Sequence, residues 1–282
     1  MDRQAGGQIE TSFARRKGVE VIPSLSVSPQ NARDPNVADR LQSGTLLLFK
    51  TPVSYTAGWT FQSRLHQERL LNERPDTVII LEHDPVYTLG RSTRPNDRPS
   101  DERILRATGA DVHVVNRGGS VTFHGPGQVV VYPILKTTAY AAGPRRLVWL
   151  LEEVIIRLLA RWNIEGDRLA RKPGVWVFSP CLAKIASIGV RIQRGVSLHG
   201  FALNVDMDLS PFGLIRPCGL ADCRMTTMSR LVTTGLSVAT VKRDLAELFG
   251  EVFGIEWTAT MQVPGDHTGA SDEISWFAAS HA

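Results

Sequence analysis

Cysteine is scarce in this chain. Among 282 residues there are three, Cys181, Cys218 and Cys223. So small and odd a number excludes a disulfide framework. No Cys-x-x-Cys pair occurs, and the spacing of Cys218 and Cys223 matches no common zinc pattern. No apolar run approaches the roughly 18 residues of a membrane span. Both phosphate-binding fingerprints are missing: there is no Gly-x-x-x-x-Gly-Lys-Ser/Thr and no Gly-x-Gly-x-x-Gly. No internal repeat is visible. Positive charge is not concentrated either. The net charge is +4, and Lys and Arg are scattered, which argues against a nucleic-acid binder. The basic clusters Arg15-Arg16-Lys17 and Arg145-Arg146 read as solvated surface. The polar opening stretch, with Asp2 and Glu10, resembles neither a secretory signal nor a clean transit segment. The expectation is a soluble protein of a reducing compartment, the cytoplasm, with no membrane partner.

What is present suffices for one sizeable core: 43% hydrophobic and 21% charged residues mark a chain that is mostly folded. Residues 1–42 are rich in Gly, Ser, Pro, Asn and Asp and read as a flexible extension, with a short strand at 19–22. Residues 43–262 read as one catalytic domain, and 263–282 as a tail in which Trp276 and Phe277 could dock. Apolar runs predict strands at 45–49, 77–81, 112–115, 128–132, 175–178, 184–192 and 201–205. A helix is expected over 55–71. A stronger one at 145–162 sets Leu147, Leu151, Val154, Ile155, Leu158 and Leu159 on one face. A last helix starts with Ser237 as N-cap and buries Val241, Leu245, Leu248 and Phe249. The irregular order predicts an α+β domain built on a mixed or largely antiparallel sheet.

The densest cluster of special residues is Arg117-Gly-Gly-Ser-Val-Thr-Phe-His-Gly-Pro-Gly-Gln128, "RGGSVTFHGPGQ". Glycines admit a ligand close to backbone N–H groups. Arg117 adds a fork of donors, and His124 a group that donates or accepts. Local sequence alone also reads this stretch as two tight turns between strands. A second unusual spot is "IRPCGL" at 215–220, where Cys218 stands between a proline and a glycine, a poor place for core packing. A reactive thiol needs a cation or base to favour its thiolate. Lys184, at the head of an apolar segment, is one partner; His124 and His199 are others, and spacing does not choose among them.

With these blocks in view, the chain resembles the lipoyl-protein octanoyltransferases. The resemblance is carried by "LEHDPVYTLGR" at 81–91, "RGGSVTFHGPGQ" at 117–128, "KPGVWV" at 172–177, "KIASIGVRIQRGVSLHGFALNVDMDLSPF" at 184–212 and "IRPCGL" at 215–220. These blocks lie between residues 45 and 255; Ser120 and Phe123 depart from the family's usual choices. The resemblance implies the α/β fold of lipoate–protein and biotin protein ligases, with a large mixed sheet and a smaller one. It implies that Cys218 carries an acyl thioester and that Lys184 lowers the pKa of that thiol. It implies substrate contacts at Arg117, Gly118, Gly119, Ser120, Val121, Thr122, Phe123, His124, Ser187, Ile188, Gly189, Gly200, Phe201 and Ala202. The implied partners are octanoyl-acyl carrier protein as donor, and as acceptors the lipoyl domains of 2-oxoacid dehydrogenase complexes and the glycine cleavage H protein. No cofactor and no metal are expected. Glycines 118, 119, 125, 127 and 200 are expected to leave room for the acyl chain. The alternatives are an ATP-dependent lipoate–protein ligase of the same fold and a metal-binding module built on His83, His124, His199 and Cys218.

Overall fold

The structure, a computed structural model, describes residues 41–141, 143–178, 180–217 and 223–263. The extension with its expected strand at 19–22, the tail with Trp276 and Phe277, and Cys218 itself lie outside the described residues.

Eight strands make the main sheet. Across it they run β11 (Ile255–Val263), β1 (Gln42–Phe49), β2 (Asp76–Leu81), β6 (Gln128–Ile134), β10 (Val196–Asn204), β9 (Leu182–Gln193), β8 (Lys172–Phe178) and β7 (Gly166–Leu169). β1 is parallel to both of its neighbours, and the remaining pairs are antiparallel. A small sheet sets β3 (Val86–Leu89) between parallel β4 (Asp111–Val114) and antiparallel β5 (Val121–His124). β9 and β10 form a hairpin in which Gln193 pairs Val196. Its two turn residues, Arg194 and Gly195, both have positive φ, the mirror-image turn whose twist suits antiparallel strands.

The central strands are buried on both faces, which is why they read as unbroken apolar runs. Alternation sends Val129 and Val131 to one face and Val130 and Tyr132 to the other. The first face is covered by α3 (Pro144–Arg161) and α4 (Val238–Phe253). The six apolar residues of α3 named above are fully buried there with Phe201 and Leu203. Phe249 and Phe253 of α4 stack at 4.3 Å. The second face is covered by α1 (Tyr55–Leu70) through Phe61 and Leu65. Each helix end has a cause. Pro144 opens α3 with its φ already set. Ser237 Oγ accepts the Thr240 N–H at 3.1 Å to start α4, and Gly254, at φ 66, stops it. A single short helix, α2 (Arg103–Arg106), supports the small sheet. No helix among the described residues is long and apolar enough to cross a membrane.

The predicted α+β class and mixed sheet are found. Four strands escaped the sequence pattern: β3, β5, β7 and β11. β5 sits inside the glycine-rich segment, where flanking glycines mask four buried residues. β11 is an edge strand whose burial alternates, leaving Glu256, Thr258, Thr260 and Gln262 exposed, so it carries no apolar run.

Phe249→Ala removes a stacked ring from the α4 core. The expected loss is about 3–5 kcal/mol of unfolding free energy, seen as a lower urea midpoint at unchanged slope.

Candidate active site

A pocket walled by both sheets holds about 580 Å³, counting the part open to solvent. It collects residues that are distant in sequence. Arg117, Gly119, Ser120, Val121, Thr122 and His124 come from the glycine-rich segment, Lys184, Ser187, Ile188 and Gly189 from β9, and Gly200, Phe201 and Ala202 from β10. Pro217, the residue before Cys218, lines the same pocket. Two expected contacts are not in its wall. Phe123 turns the other way and packs on Tyr87 and Phe212, at 5.0 and 5.9 Å between rings, inside the small-sheet core. Gly118 lines an adjoining cleft with Arg94, Arg171 and Lys172. Two of the glycines expected to make room for a chain are required by close backbone packing. A Cβ on Gly127, at φ +84, or on Gly200 would lie 2.0 Å from the carbonyl oxygens of Asp206 and Val131 respectively.

Lys184 is 1% exposed. Its Nζ donates to the Pro173 carbonyl at 2.8 Å and stands 5.2 Å from the centre of the Trp176 ring. A Cβ at position 174 would come within 2.5 Å of Lys184 Cε, so Gly174 makes the lysine's path possible. Glu152 of α3 accepts the Gly174 N–H at 3.0 Å and lies 3.2 Å from Arg168 Nε. Burial pushes the Glu152 carboxyl up, against the pull of the Gly174 N–H, Arg168 and Lys184. The backbone of Lys184 is held as well. Its N–H donates to Arg224 O at 2.7 Å, and its carbonyl accepts from Thr226 N at 3.0 Å. The chain on the far side of the 218–222 segment is therefore tied to the lysine whose pocket the near side also lines.

A hydrogen-bond chain braces the same region. Arg117 Nη2 donates to Thr88 Oγ1 at 2.8 Å and to Thr88 O at 2.7 Å. Thr88 Oγ1 is 3.4 Å from His124 Nε2. His124 Nδ1 is 2.7 Å from Gln128 Oε1, which makes Nδ1 the protonated nitrogen when the ring is neutral. Gln128 Nε2 then donates to Asn204 Oδ1 at 2.9 Å, and Asn204 Nδ2 to Thr226 O at 3.0 Å. His83 donates from Nδ1 to Val53 O at 3.0 Å and accepts at Nε2 from Tyr132 Oη at 2.6 Å. His199 Nε2 bonds Asn116 Oδ1 at 2.6 Å, and its ring stacks on Trp59 at 5.2 Å. His199 also has φ 57 within a strand, a strained conformation of the kind found at functional sites. The three histidines of the metal alternative do not form a ligand set among the described residues. The rings of His83 and His124 lie 5.9 Å apart, but all four of their nitrogens have protein partners. Among the described residues no cluster of three His, Cys, Asp or Glu could hold a metal ion.

Sequence reasoning missed several residues here. Tyr55 and Tyr132 line the pocket without any motif to announce them. Glu152 is a carboxylate set against the apolar face of α3, a signal that was there to be read. Asp97 is buried and receives the Ser120 hydroxyl at 2.5 Å, while its own carbonyl accepts the Arg216 N–H at 2.8 Å. It thus fastens the glycine-rich segment to the stretch leading into residue 218.

The comparisons with known proteins agree with this picture. The family model described as the lipoyl protein ligase A/B catalytic domain matches residues 54–250. An octanoyltransferase of Chloroflexus aurantiacus is 42% identical over 205 residues, covering 72% of this chain and 92% of that protein. One of Thermobifida fusca is 42% identical over 212 residues, covering 72% and 87%. Among solved structures, a bipartite lipoate protein ligase from Thermoplasma acidophilum superposes with a TM-score of 0.59 at 16% identity, over 84% of this chain and 92% of that one. A lipoate-protein ligase A bound with ATP gives 0.59 at 16%, over 84% and 94%. At such identity the solved structures speak for the fold alone. The chain belongs to the lipoyl protein ligase A/B catalytic domain family. Within it, the identity to curated relatives places the chain among the octanoyltransferases, and the protein is an acyltransferase.

Burial keeps His83, His124 and His199 neutral. It brings His83 down to about 4 and His124 to about 3, where His83 and Arg117 add to the effect. It brings His199 to about 3, helped by Arg117 and Arg191. Folded values below the unfolded ~6.5 mean that the unfolded chain binds protons first. The contribution of these rings to stability is therefore complete above about pH 6.5 and falls with pH toward 4 and then 3, by up to about 1.4 kcal/mol per unit for each ring. Ring NMR of the folded protein should show these three imidazoles still neutral at pH 5.

Proposed function

We propose that this enzyme transfers an octanoyl group from octanoyl-acyl carrier protein to a specific lysine of lipoyl domains, through a thioester on Cys218. The acceptors are the lipoyl domains of 2-oxoacid dehydrogenase complexes and the glycine cleavage H protein, and the reaction belongs in the cytoplasm. One observation carries the reading: a lysine amino group removed from water in a pocket that Pro217 also lines, with residues 224–226 bonded to that lysine's own backbone. Both flanks of the 218–222 segment thus reach the pocket that Lys184 lines.

The chemistry follows from charge. An unperturbed thiol, with a pKa near 8.5, is mostly protonated at neutral pH. Loss of its proton to solvent beside the Lys184 ammonium gives a thiolate–ammonium pair, favoured by the attraction of the two charges at short range in a poorly solvated site. The Cys218 thiolate attacks the octanoyl carbonyl carbon. A new C–S bond forms, the bond to the pantetheine sulfur breaks, and the departing thiolate takes the proton from Lys184. The acceptor lysine, as free amine, then attacks the acyl-enzyme. Its proton passes to Lys184 as the amide forms, and Cys218 leaves as thiolate, restoring the pair. Thioester to amide is downhill, so no nucleotide is consumed. Backbone N–H groups near Gly189 would stabilise the oxyanion. The apolar walls suit a hydrocarbon chain, each buried methylene contributing about 0.8 kcal/mol.

Incubation with octanoyl-acyl carrier protein, without nucleotide, should add one octanoyl mass to the protein. Cys218→Ala should abolish both adduct and transfer. An adduct on Cys181 or Cys223 instead would reject the assignment, and a strict requirement for ATP would make the protein a ligase. Lys184→Ala should raise the apparent thiol pKa and slow acylation by 10²-fold or so, within the usual range for a proton-handling group. A pH–rate profile identical to that of the wild type would remove Lys184 from this role.

A further inference from the structure

The pocket has a direction. Lys184 on β9 stands at one end; Val130 and Tyr132 on β6, with Tyr55, stand at the other. One strand, β10, lies between β9 and β6. Val130 lies level with Ala202 and Ser187, three residues along β9 from Lys184, so two strand spacings, about 10 Å, and about 10 Å along the strand separate the ends.

Behind Tyr55 lies a second cleft, of about 1030 Å³ counting its open side, lined among others by Trp59, Arg91, His113, Asn116 and Arg191. Tyr55 is the one residue found in the walls of both. His199 completes the partition, bonded to Asn116 and stacked on Trp59. The Tyr55 side chain is 4% exposed, and its ring lies between those of His83 and His113, at 5.3 and 5.2 Å. Its hydroxyl is buried with no hydrogen-bond partner among the described residues. A buried polar group of this kind is uncommon and calls for a reason. Here no hydrogen bond to those residues holds the ring in place, and the ring fills the junction of two cavities.

We infer that Tyr55 sets the acyl-chain length: its ring closes the inner end of the pocket, and the terminal methyl of an octanoyl chain stops against it. This rests on the octanoyl-transfer reading above. A longer chain has to push the ring out of its place between His83 and His113. Without the ring, the pocket opens into the second cleft, where Trp59 and Val115 offer apolar surface. Each further methylene buried there is then worth roughly fourfold in binding.

The test uses the full chain and acyl carrier protein thioesters from hexanoyl to tetradecanoyl. Adducts are read by intact mass and transfer by lipoyl-domain modification. The wild type should favour octanoyl. Tyr55→Ala should raise the dodecanoyl-to-octanoyl rate ratio at least about tenfold, a fraction of the gain available from four methylenes. Tyr55→Trp, with its larger ring, should move the optimum toward hexanoyl and stands in if melting shows that Tyr55→Ala does not fold. A length profile unchanged in a folded variant, with octanoyl transfer intact, overturns the role of Tyr55 alone. A wild type that accepts no acyl group from any carrier thioester overturns the functional reading and this inference with it.

Discussion

The burial of one amino group organises this molecule. Lys184 is almost completely removed from water, a placement that costs several kcal/mol unless partners replace the lost hydration. The partners come from the neighbouring strand β8 and from α3: a carbonyl at Pro173, the face of Trp176, and the field of Glu152. Gly174 admits the side chain, and the same residue's N–H holds Glu152. Strand β8 and helix α3 are thus committed to one position. A charge whose surroundings are already oriented needs little rearrangement when a thiolate forms beside it, and such preorganisation is the main source of electrostatic catalysis.

Around this group runs a connected frame. The chain from Arg117 through Thr88, His124, Gln128 and Asn204 ends on the Thr226 carbonyl, whose own N–H returns to Lys184. Asp97 fastens the glycine-rich segment to Arg216 from the other side. The neutral histidines belong to this frame. Their nitrogens orient neighbours, and a charged ring would be repelled by Arg117. Much of what looks in sequence like ligand-binding chemistry is therefore scaffold that holds a binding surface in shape.

Most of the architecture could be read from residues alone, since central strands buried on both faces and helices with one apolar face leave strong periodic signals. Ser237 was legible as a cap because its hydroxyl is the cap. The edge strand β11 was not, because half of its residues face solvent. β5 was not, because the glycines around it speak louder than four buried side chains. The composition of the pocket was legible through motif resemblance, down to Lys184. Phe123 was misplaced because a motif is contiguous whereas a strand sends alternate residues to opposite sides. Tyr55, Glu152 and Asp97 act through tertiary neighbours, and no local pattern records those.

The parallel pairing of β1 with β11 has a consequence for how the chain is made. Gln42 meets Ile255, so the first strand of the sheet waits for the last. Until then one flank of β1 presents unsatisfied N–H and C=O groups, the kind of surface on which nascent chains aggregate. Closing so long a loop adds to the entropy that folding must overcome and slows its completion. On the ribosome, this enzyme would acquire its finished sheet only after nearly all of the described chain has emerged.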